Sequence, residues 1–388
     1  MSPLLARHYR TGAPVRVVLE TARFAAFEAA SVPDPGALPW IAPGLVDAQV
    51  NGFGGVDFNR LPLDEAAWRR ADDALARCGA TRYLITLITH GADETVVLLG
   101  RLRALRELHP GGCLGFHLEG PFLNPDPGTR GAHDPAKMVA PDVALFARFQ
   151  EAAGDAVRLV TLAPEVAPDK AFPFIARLRA LGIRASIGHS LAMGETVRLA
   201  ADAGATAWTH LGNAAPRQAD KFENVILHAL AEDRLCGFLI PDGLHVPPTA
   251  FRALARALEA ESRLLLTTDA MAGAGAPAGT AASTLGAAAV DLLPDGRAVL
   301  PGTGKLAGST LIPCDGVFRA ARMAGLPWSE MWNAFSTGPA AWLGLEQGGG
   351  LGIGRPADFC LLEETGAGED PRLLAAWRDG APVWERQG

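Results

Sequence analysis

The chain has 388 residues, 49% of them apolar, with 35 basic and 42 acidic side chains for a net charge of −7. That length fits two or three average domains, or one large α/β barrel with an appendage. The acidic balance excludes a nucleic-acid footprint, no apolar run reaches the roughly 20 residues of a membrane span, and Met-Ser-Pro-Leu-Leu-Ala-Arg-His lacks the basic start and apolar core of a signal peptide.

Short strands are predicted over Val15–Glu20 and Ala22–Glu28, followed by a Pro/Gly-rich linker over Ser31–Pro39. From Ile41 onward, apolar runs of strand length alternate with helical stretches. The predicted strands are Leu45–Val50, Tyr83–Ile88, Cys113–Leu118, Val157–Leu162, Arg184–Ile187, Ala205–His210, Cys236–Ile240 and Leu264–Thr268. Amphipathic segments such as Asp64–Cys78, Asp93–Leu108, Lys170–Leu181, Gly194–Ala203 and Pro247–Glu259 lie between them. Strands alternating with helices predict an α/β fold, a parallel (β/α)8 barrel of the TIM type. Residues 271–310, rich in Gly, Ala, Pro and Thr, predict a loop and hairpin excursion with a turn at Pro294-Asp-Gly296. Helices resume over Pro313–Ala324 and Trp328–Phe335, and the tail returns to short strands. The expected division is a small β domain from residues 1–42 and 350–388 beside a barrel over 43–349. The five cysteines, 78, 113, 236, 314 and 360, form no C-x-x-C pair and read as reduced thiols of a cytoplasmic protein.

Functional side chains of α/β barrels gather at the C-terminal strand ends. The third strand ends at Glu119 before Gly120-Pro121, the fifth runs into His189, the sixth into His210, and the eighth into Asp269. A lone histidine after a strand is ordinarily a packed or loop residue, and a lone strand-end glutamate a salt-bridge partner. Glu119, His189 and His210 on one rim form a carboxylate and two imidazoles, a recurrent catalytic zinc set with the fourth position open. Asp269 suits an N-cap or, after the apolar Leu264–Leu266, a general base and acid beside the metal. His245 reads as a loop residue or a hydrogen-bond partner of substrate. His117 reads as a packed histidine or a support for the site.

These residues carry a resemblance. Pro43-Gly-Leu-Val-Asp-Ala-Gln-Val-Asn-Gly52, His117-Leu-Glu-Gly-Pro-Phe122, Gly188-His-Ser190, Thr209-His-Leu-Gly-Asn-Ala214, Asp242-Gly-Leu-His245, Thr268-Asp-Ala270 and Gly308-Ser-Thr310 occur in one order. With them the chain resembles the amidohydrolase superfamily and, within it, the N-acetylglucosamine-6-phosphate deacetylases. Many amidohydrolases carry His-x-His after the first strand, where this chain has Gln49 and Asn51. The resemblance therefore implies a single metal on Glu119, His189 and His210, with Gln49 free to contact substrate. It also implies substrate contacts at Ala132, Asn213, Ala214, His245, Leu306, Ala307 and Gly308, and a homodimer. The family's basic phosphate ligand falls in Pro216-Arg-Gln-Ala-Asp-Lys-Phe-Glu-Asn224, where Arg217 and Lys221 are the candidates.

The reading is a metal-dependent amide hydrolase that deacetylates an N-acetylated amino sugar, N-acetylglucosamine 6-phosphate first, with Asp269 as general base and acid. One divalent ion per subunit is expected, zinc first, with iron, cobalt, manganese and nickel as alternatives. The partner is a small amino-sugar substrate; no nucleic-acid or membrane partner is expected. The rival readings are an unphosphorylated N-acetyl sugar or another amide, and a non-catalytic sugar-phosphate-binding protein.

Overall fold

The computed structural model describes residues 3–260, 262–277, 279–280, 282–366 and 368–387. Eight strands form one sheet in chain order: Leu45–Val50 (β1), Ala80–Leu87 (β2), Cys113–Glu119 (β3), Val157–Leu162 (β4), Arg184–Ile187 (β5), Ala205–Trp208 (β6), Cys236–Leu239 (β7) and Leu264–Leu266 (β8). Every neighbouring pair is parallel. The helices are Glu65–Ala76 (α1), Ala92–Leu108 (α2), Val143–Ala152 (α3), Pro168–Ala180 (α4), Gly194–Ala203 (α5), Val225–Ala231 (α6), Pro248–Glu259 (α7), Pro313–Ala324 (α8), Trp328–Phe335 (α9) and Thr337–Leu343 (α10). This is the (β/α)8 barrel that the alternation predicts.

Local chemistry sets the helix starts. The Asp64 carboxylate accepts from Ala67 N–H at 2.8 Å and that of Asp142 from Leu145 N–H at 2.8 Å, each satisfying an orphan donor of the first turn. In α1 the buried residues Trp68, Ala71, Leu75 and Ala76 recur at helical spacing and face the strands. β2 begins at Ala80, three residues before the predicted start, because the chain turns at Gly79 (φ 82°) and Ala80 already pairs with Leu45. The predicted ends of β6 and β8 are too long. Those strands stop at Trp208 and Leu266, and the residues beyond them turn off the ladder into the site.

The ring closes between β1 and β8. Asn51 N–H donates to the Ala270 carbonyl at 2.7 Å, and Val50 bridges Ala270 in parallel register. The Asp47 carboxylate, fully buried, bonds across the same seam. It accepts from the Thr267 and Thr268 hydroxyls at 2.6 and 2.5 Å and from the Thr268 and Gln49 amides at 3.2 Å each.

Inside the barrel the period of two along each strand builds layers. Leu84, Leu159 and Leu265 belong to an apolar plug with Ala48, Ala207 and Phe238. Trp342 of α10 packs on Phe238 at 5.1 Å and 78°. Two residues further along the same strands stand Thr86, Thr161 and Thr267, all buried. The layer is polar. The Thr161 hydroxyl bonds Thr209, Thr209 bonds Ser186, and the His117 ring lies 3.2 Å from Thr86 and 2.8 Å from Thr161. His117 is a satisfied interior histidine, kept neutral by burial, which lowers it to about 4.

Both chain ends join one seven-stranded sheet, in the order Ala381–Glu385, Arg372–Arg378, Phe359–Glu363, Trp40–Pro43, Leu4–His8, Pro14–Glu20 and Arg23–Ala29. Two bidentate ion pairs tie it to the barrel: Arg82 with Asp358 at 2.6 and 3.2 Å, and Arg378 with Asp72 at 2.9 and 3.0 Å. The excursion after β8 forms a three-stranded antiparallel sheet, Ala282–Leu285, Ala288–Leu292 and Ala298–Val299. The Pro294-Asp-Gly296 turn closes where Leu293 N–H meets the Arg297 carbonyl at 2.8 Å.

Burial pushes the Asp47 carboxyl up from 3.8 to about 6, its hydroxyl and amide donors pulling the other way. A folded value above the unfolded one makes the associated stability full below 3.8 and lost as pH rises through about 6. Urea unfolding at about pH 4.5 and about pH 7.5 should show wild type losing on the order of 2 kcal/mol more than Asp47→Asn over that interval. Equal pH dependence in both proteins would contradict this account of the seam.

Candidate active site

The C-terminal strand ends are where the backbone departs from ordinary geometry. His189, His210 and Asp269, the residues that follow β5, β6 and β8, have φ of 47°, 33° and 52°. Side chains other than glycine adopt this left-handed region rarely, at a cost on the order of 1–3 kcal/mol each when strained. Three such residues on one rim signal a geometry that the surrounding fold imposes. Gly120 enforces the turn after Glu119: its φ is 103°, and a Cβ there would lie 2.2 Å from the Thr89 hydroxyl.

Glu119, His189 and His210 meet above the polar layer, and their ligand atoms all lie within 4.8 Å of one another. All three are buried. Glu119 Oε1 is 2.8 Å from His210 Nε2 and 3.3 Å from His189 Nε2. Gln49 Nε2 donates to the same oxygen at 2.8 Å. His189 Nδ1 lies 2.8 Å from the Thr129 carbonyl, which only accepts, so this nitrogen carries a proton. Its Nε2 then faces a carboxylate oxygen with a lone pair unless a cation stands between them, either a second proton or a metal ion. Burial alone would raise the Glu119 carboxyl. The histidine partners His189 and His210, with His133 nearby, outweigh it and hold the group well below the usual range. Two imidazoles and a carboxylate, converging and buried, fit a divalent transition metal. Among the described residues this is the one cluster of that kind.

Asp269 is buried beside this set, with Oδ1 accepting from Asn51 Nδ2 at 2.7 Å. Burial, then the Glu119 charge, push its carboxyl well above the usual range. Its backbone is pinned where Ser309 N–H donates to the Asp269 carbonyl at 2.8 Å and the Ser309 hydroxyl to Thr268 O at 2.6 Å. Two buried polar atoms here have no protein partner, His210 Nδ1 and Asn51 Oδ1. A site completed by a bound ion, water or substrate has this character.

A cavity of about 870 Å³ opens above these groups. Glu119, His189, His210 and Asp269 line it, as do Ala132, Asn213, Ala214 and His245. The Leu306-Ala-Gly308 segment forms another part of its wall. His245 is not a solvent-exposed loop residue; its side chain is buried, and Nδ1 lies 2.6 Å from Asp242 Oδ2. Two expected contacts fall elsewhere. Gln49 sits under the cavity with its amide on Glu119. Lys221 points away, its ammonium 5.3 Å from the Phe222 ring, and is not part of the wall.

The cavity also holds residues that sequence reasoning missed. His133 is buried, with its ring 4.4 Å from that of His189 at 65°. Thr89 N–H donates to its Nδ1 at 3.3 Å, which places the proton on Nε2, 3.7 Å from Glu119 Oε2. Burial, then the charge of His189, lower His133 to about 3, so the ring is a neutral donor. Arg297 and Lys305, both from the excursion, line the mouth together with Arg217. The one signal for His133 was its place in Arg130-Gly-Ala-His133. For Arg297 and Lys305 it was a cation on either side of residues 298–304 in a segment poor in charge.

Residues 40–383 match the amidohydrolase family. The chain is 33% identical to the N-acetylglucosamine-6-phosphate deacetylase of Bacillus subtilis over 332 residues, 83% of this chain and 80% of that protein. It is also 33% identical to the N-acetylgalactosamine-6-phosphate deacetylase of a Shewanella species over 352 residues, 89% of this chain and 84% of that one. Among solved structures, a variant of the N-acetyl-D-glucosamine-6-phosphate deacetylase of Mycobacterium smegmatis, in complex with N-acetyl-D-glucosamine-6-phosphate, superposes with a TM-score of 0.85 at 32% identity, covering 99% of this chain and 100% of that one. The chain is a hydrolase of amide C–N bonds that belongs to the amidohydrolase family and, within it, to the N-acetylglucosamine-6-phosphate deacetylase family.

Proposed function

We propose that the chain removes the acetyl group of an amino-sugar 6-phosphate, N-acetylglucosamine 6-phosphate first, giving glucosamine 6-phosphate and acetate. One observation carries this reading. The Glu119/His189/His210 cluster and the Asp269 carboxyl share a single cavity, in a chain 33% identical to a deacetylase of that substrate.

A divalent ion on Glu119, His189 and His210, zinc first and iron, cobalt, manganese or nickel by the same donor set, would acidify a water and polarise the acyl oxygen. Asp269 takes the proton of the attacking water and returns it to the departing amine. Asn51 holds one of its oxygens and leaves the other toward the cavity. His133, with its proton on Nε2, donates to the acyl oxygen as negative charge develops there. Asp242 fixes His245 on the wall, where its free ring nitrogen meets a sugar oxygen. Ala132, Asn213, Ala214 and the Leu306–Gly308 backbone shape the remaining wall. Gln49 acts through Glu119, as a support for the metal-holding carboxylate.

The same reading makes the protein a cytoplasmic homodimer. In support, the apolar side chains of Phe222 and Leu227 are 69% and 43% exposed, all five cysteines are free, and no helix of the described residues is long and apolar enough to cross a membrane. A second reading, N-acetylgalactosamine 6-phosphate as the substrate, is favoured by the equal identity to the Shewanella relative.

Acetate release should be measured with N-acetylglucosamine 6-phosphate, its galactose epimer and unphosphorylated N-acetylglucosamine. The expected order of kcat/KM puts the first ahead. A preference for the epimer selects the second reading, and no release from any of the three contradicts both. Asp269→Asn should lower kcat by about 10²- to 10⁴-fold while retaining the metal content of wild type. A variant with near wild-type turnover would remove Asp269 from its role.

A further inference from the structure

The cavity mouth is basic where its floor is acidic. Lys305, Arg297 and Arg217 line the mouth, whereas the carboxylates of the wall, Glu119 and Asp269, lie at the floor. Neither Lys305 nor Arg217 forms an ion pair or hydrogen bond through its charged group with any described residue. Lys305 is half-buried. A lysine without a partner ordinarily extends into water, because withdrawing an ammonium from solvent is costly. Arg297 is engaged only through Nε, which meets Asp295 at 2.8 Å. That contact orients the guanidinium and leaves both terminal nitrogens free to donate.

The two cations of the excursion are held rigidly relative to each other. Val299 bridges Leu306 in antiparallel register, Ala307 N–H donates to the Ala298 carbonyl at 3.0 Å, and Leu300 N–H to the Lys305 carbonyl at 2.9 Å. Arg297 and Lys305 thus stand at the two ends of one short ladder. That ladder continues through Gly308 into Ser309, which pins Asp269. The segment that positions the proposed base therefore also carries cations to the mouth.

We propose that this chain grips the phosphate of its substrate from within, with Lys305 and Arg297 of the ladder closing on the dianion opposite Arg217. The identity of the anion rests on the amino-sugar-phosphate reading above. A phosphate monoester carries about −1.5 to −2 charges near neutral pH and offers three acceptor oxygens. Several donor groups, two of them guanidinium, match that demand better than a lone lysine. A molecule with an amide at one end and a dianion at the other then fits a cavity whose floor does the chemistry and whose mouth is cationic.

The test is the ratio of kcat/KM for N-acetylglucosamine 6-phosphate to that for N-acetylglucosamine, in wild type, Lys305→Ala, Arg297→Ala, the double variant and Lys305→Arg, with thermal melts confirming that each is folded. The ratio should fall by about tenfold or more in each alanine variant, fall further in the double variant through KM, and be largely retained in Lys305→Arg. A double variant whose ratio stays within about twofold of wild type overturns the proposal while leaving the deacetylase reading intact. If wild type releases acetate from neither sugar, that reading fails, and the anion site is judged by calorimetry with inorganic phosphate. Binding lost in the double variant upholds the site, and binding unchanged overturns it.

Discussion

One carboxylate oxygen organises the catalytic end of this protein. Glu119 Oε1 has three nitrogen neighbours, Gln49 Nε2 and His210 Nε2 at 2.8 Å and His189 Nε2 at 3.3 Å. Together with Glu119 they come from the ends of four different strands, so the contact exists only when those strands are in register. Much of the remaining structure reads as its precondition. The Asp47 seam closes β1 against β8, and the hydroxyl layer of Thr86, Thr161 and Thr209 supports the site from below. The left-handed backbone at His189, His210 and Asp269 is local strain that the closed ring offsets.

The pair Gln49 and Asn51 shows how neutral amides keep two buried carboxylates in place. Each amide donates to one of them, Gln49 to Glu119 at 2.8 Å and Asn51 to Asp269 at 2.7 Å. Where histidines at these positions would call for a second cation, the neutral amides supply a hydrogen bond to each carboxylate instead. A buried carboxylate without such a donor is strongly destabilising. The two amides thus spend one donor each on a carboxylate, and Asn51 keeps its Oδ1 unpartnered at the cavity.

The frame was legible because it rests on periodicity. Alternating apolar runs and amphipathic segments locate the barrel strands, and Glu119, His189, His210 and Asp269 are readable as strand-end residues from chain order alone. Three things were not legible, each for a physical reason. Gln49 was read as a substrate contact because strand position does not tell which neighbour an amide will find once a carboxylate lies 2.8 Å away. His133 lies fourteen residues past Glu119 in a loop whose return to the site depends on tertiary contacts such as Thr89 to Nδ1. Lys221 was placed near the phosphate by its position in a motif, but it extends over Phe222, while Lys305 and Arg297 reach the mouth from a hairpin distant in sequence.

The central claim is a single metal centre on Glu119, His189 and His210, with amides in place of a second site. Anomalous X-ray diffraction from crystals of the metal-loaded protein, collected on both sides of the absorption edge of the bound metal, tests it most directly. The account predicts one anomalous peak per chain, bonded to the Glu119 carboxylate and to Nε2 of His189 and His210, and none between Gln49 and Asn51. A second peak at the amide pair, or a single peak away from these three ligands, would contradict it.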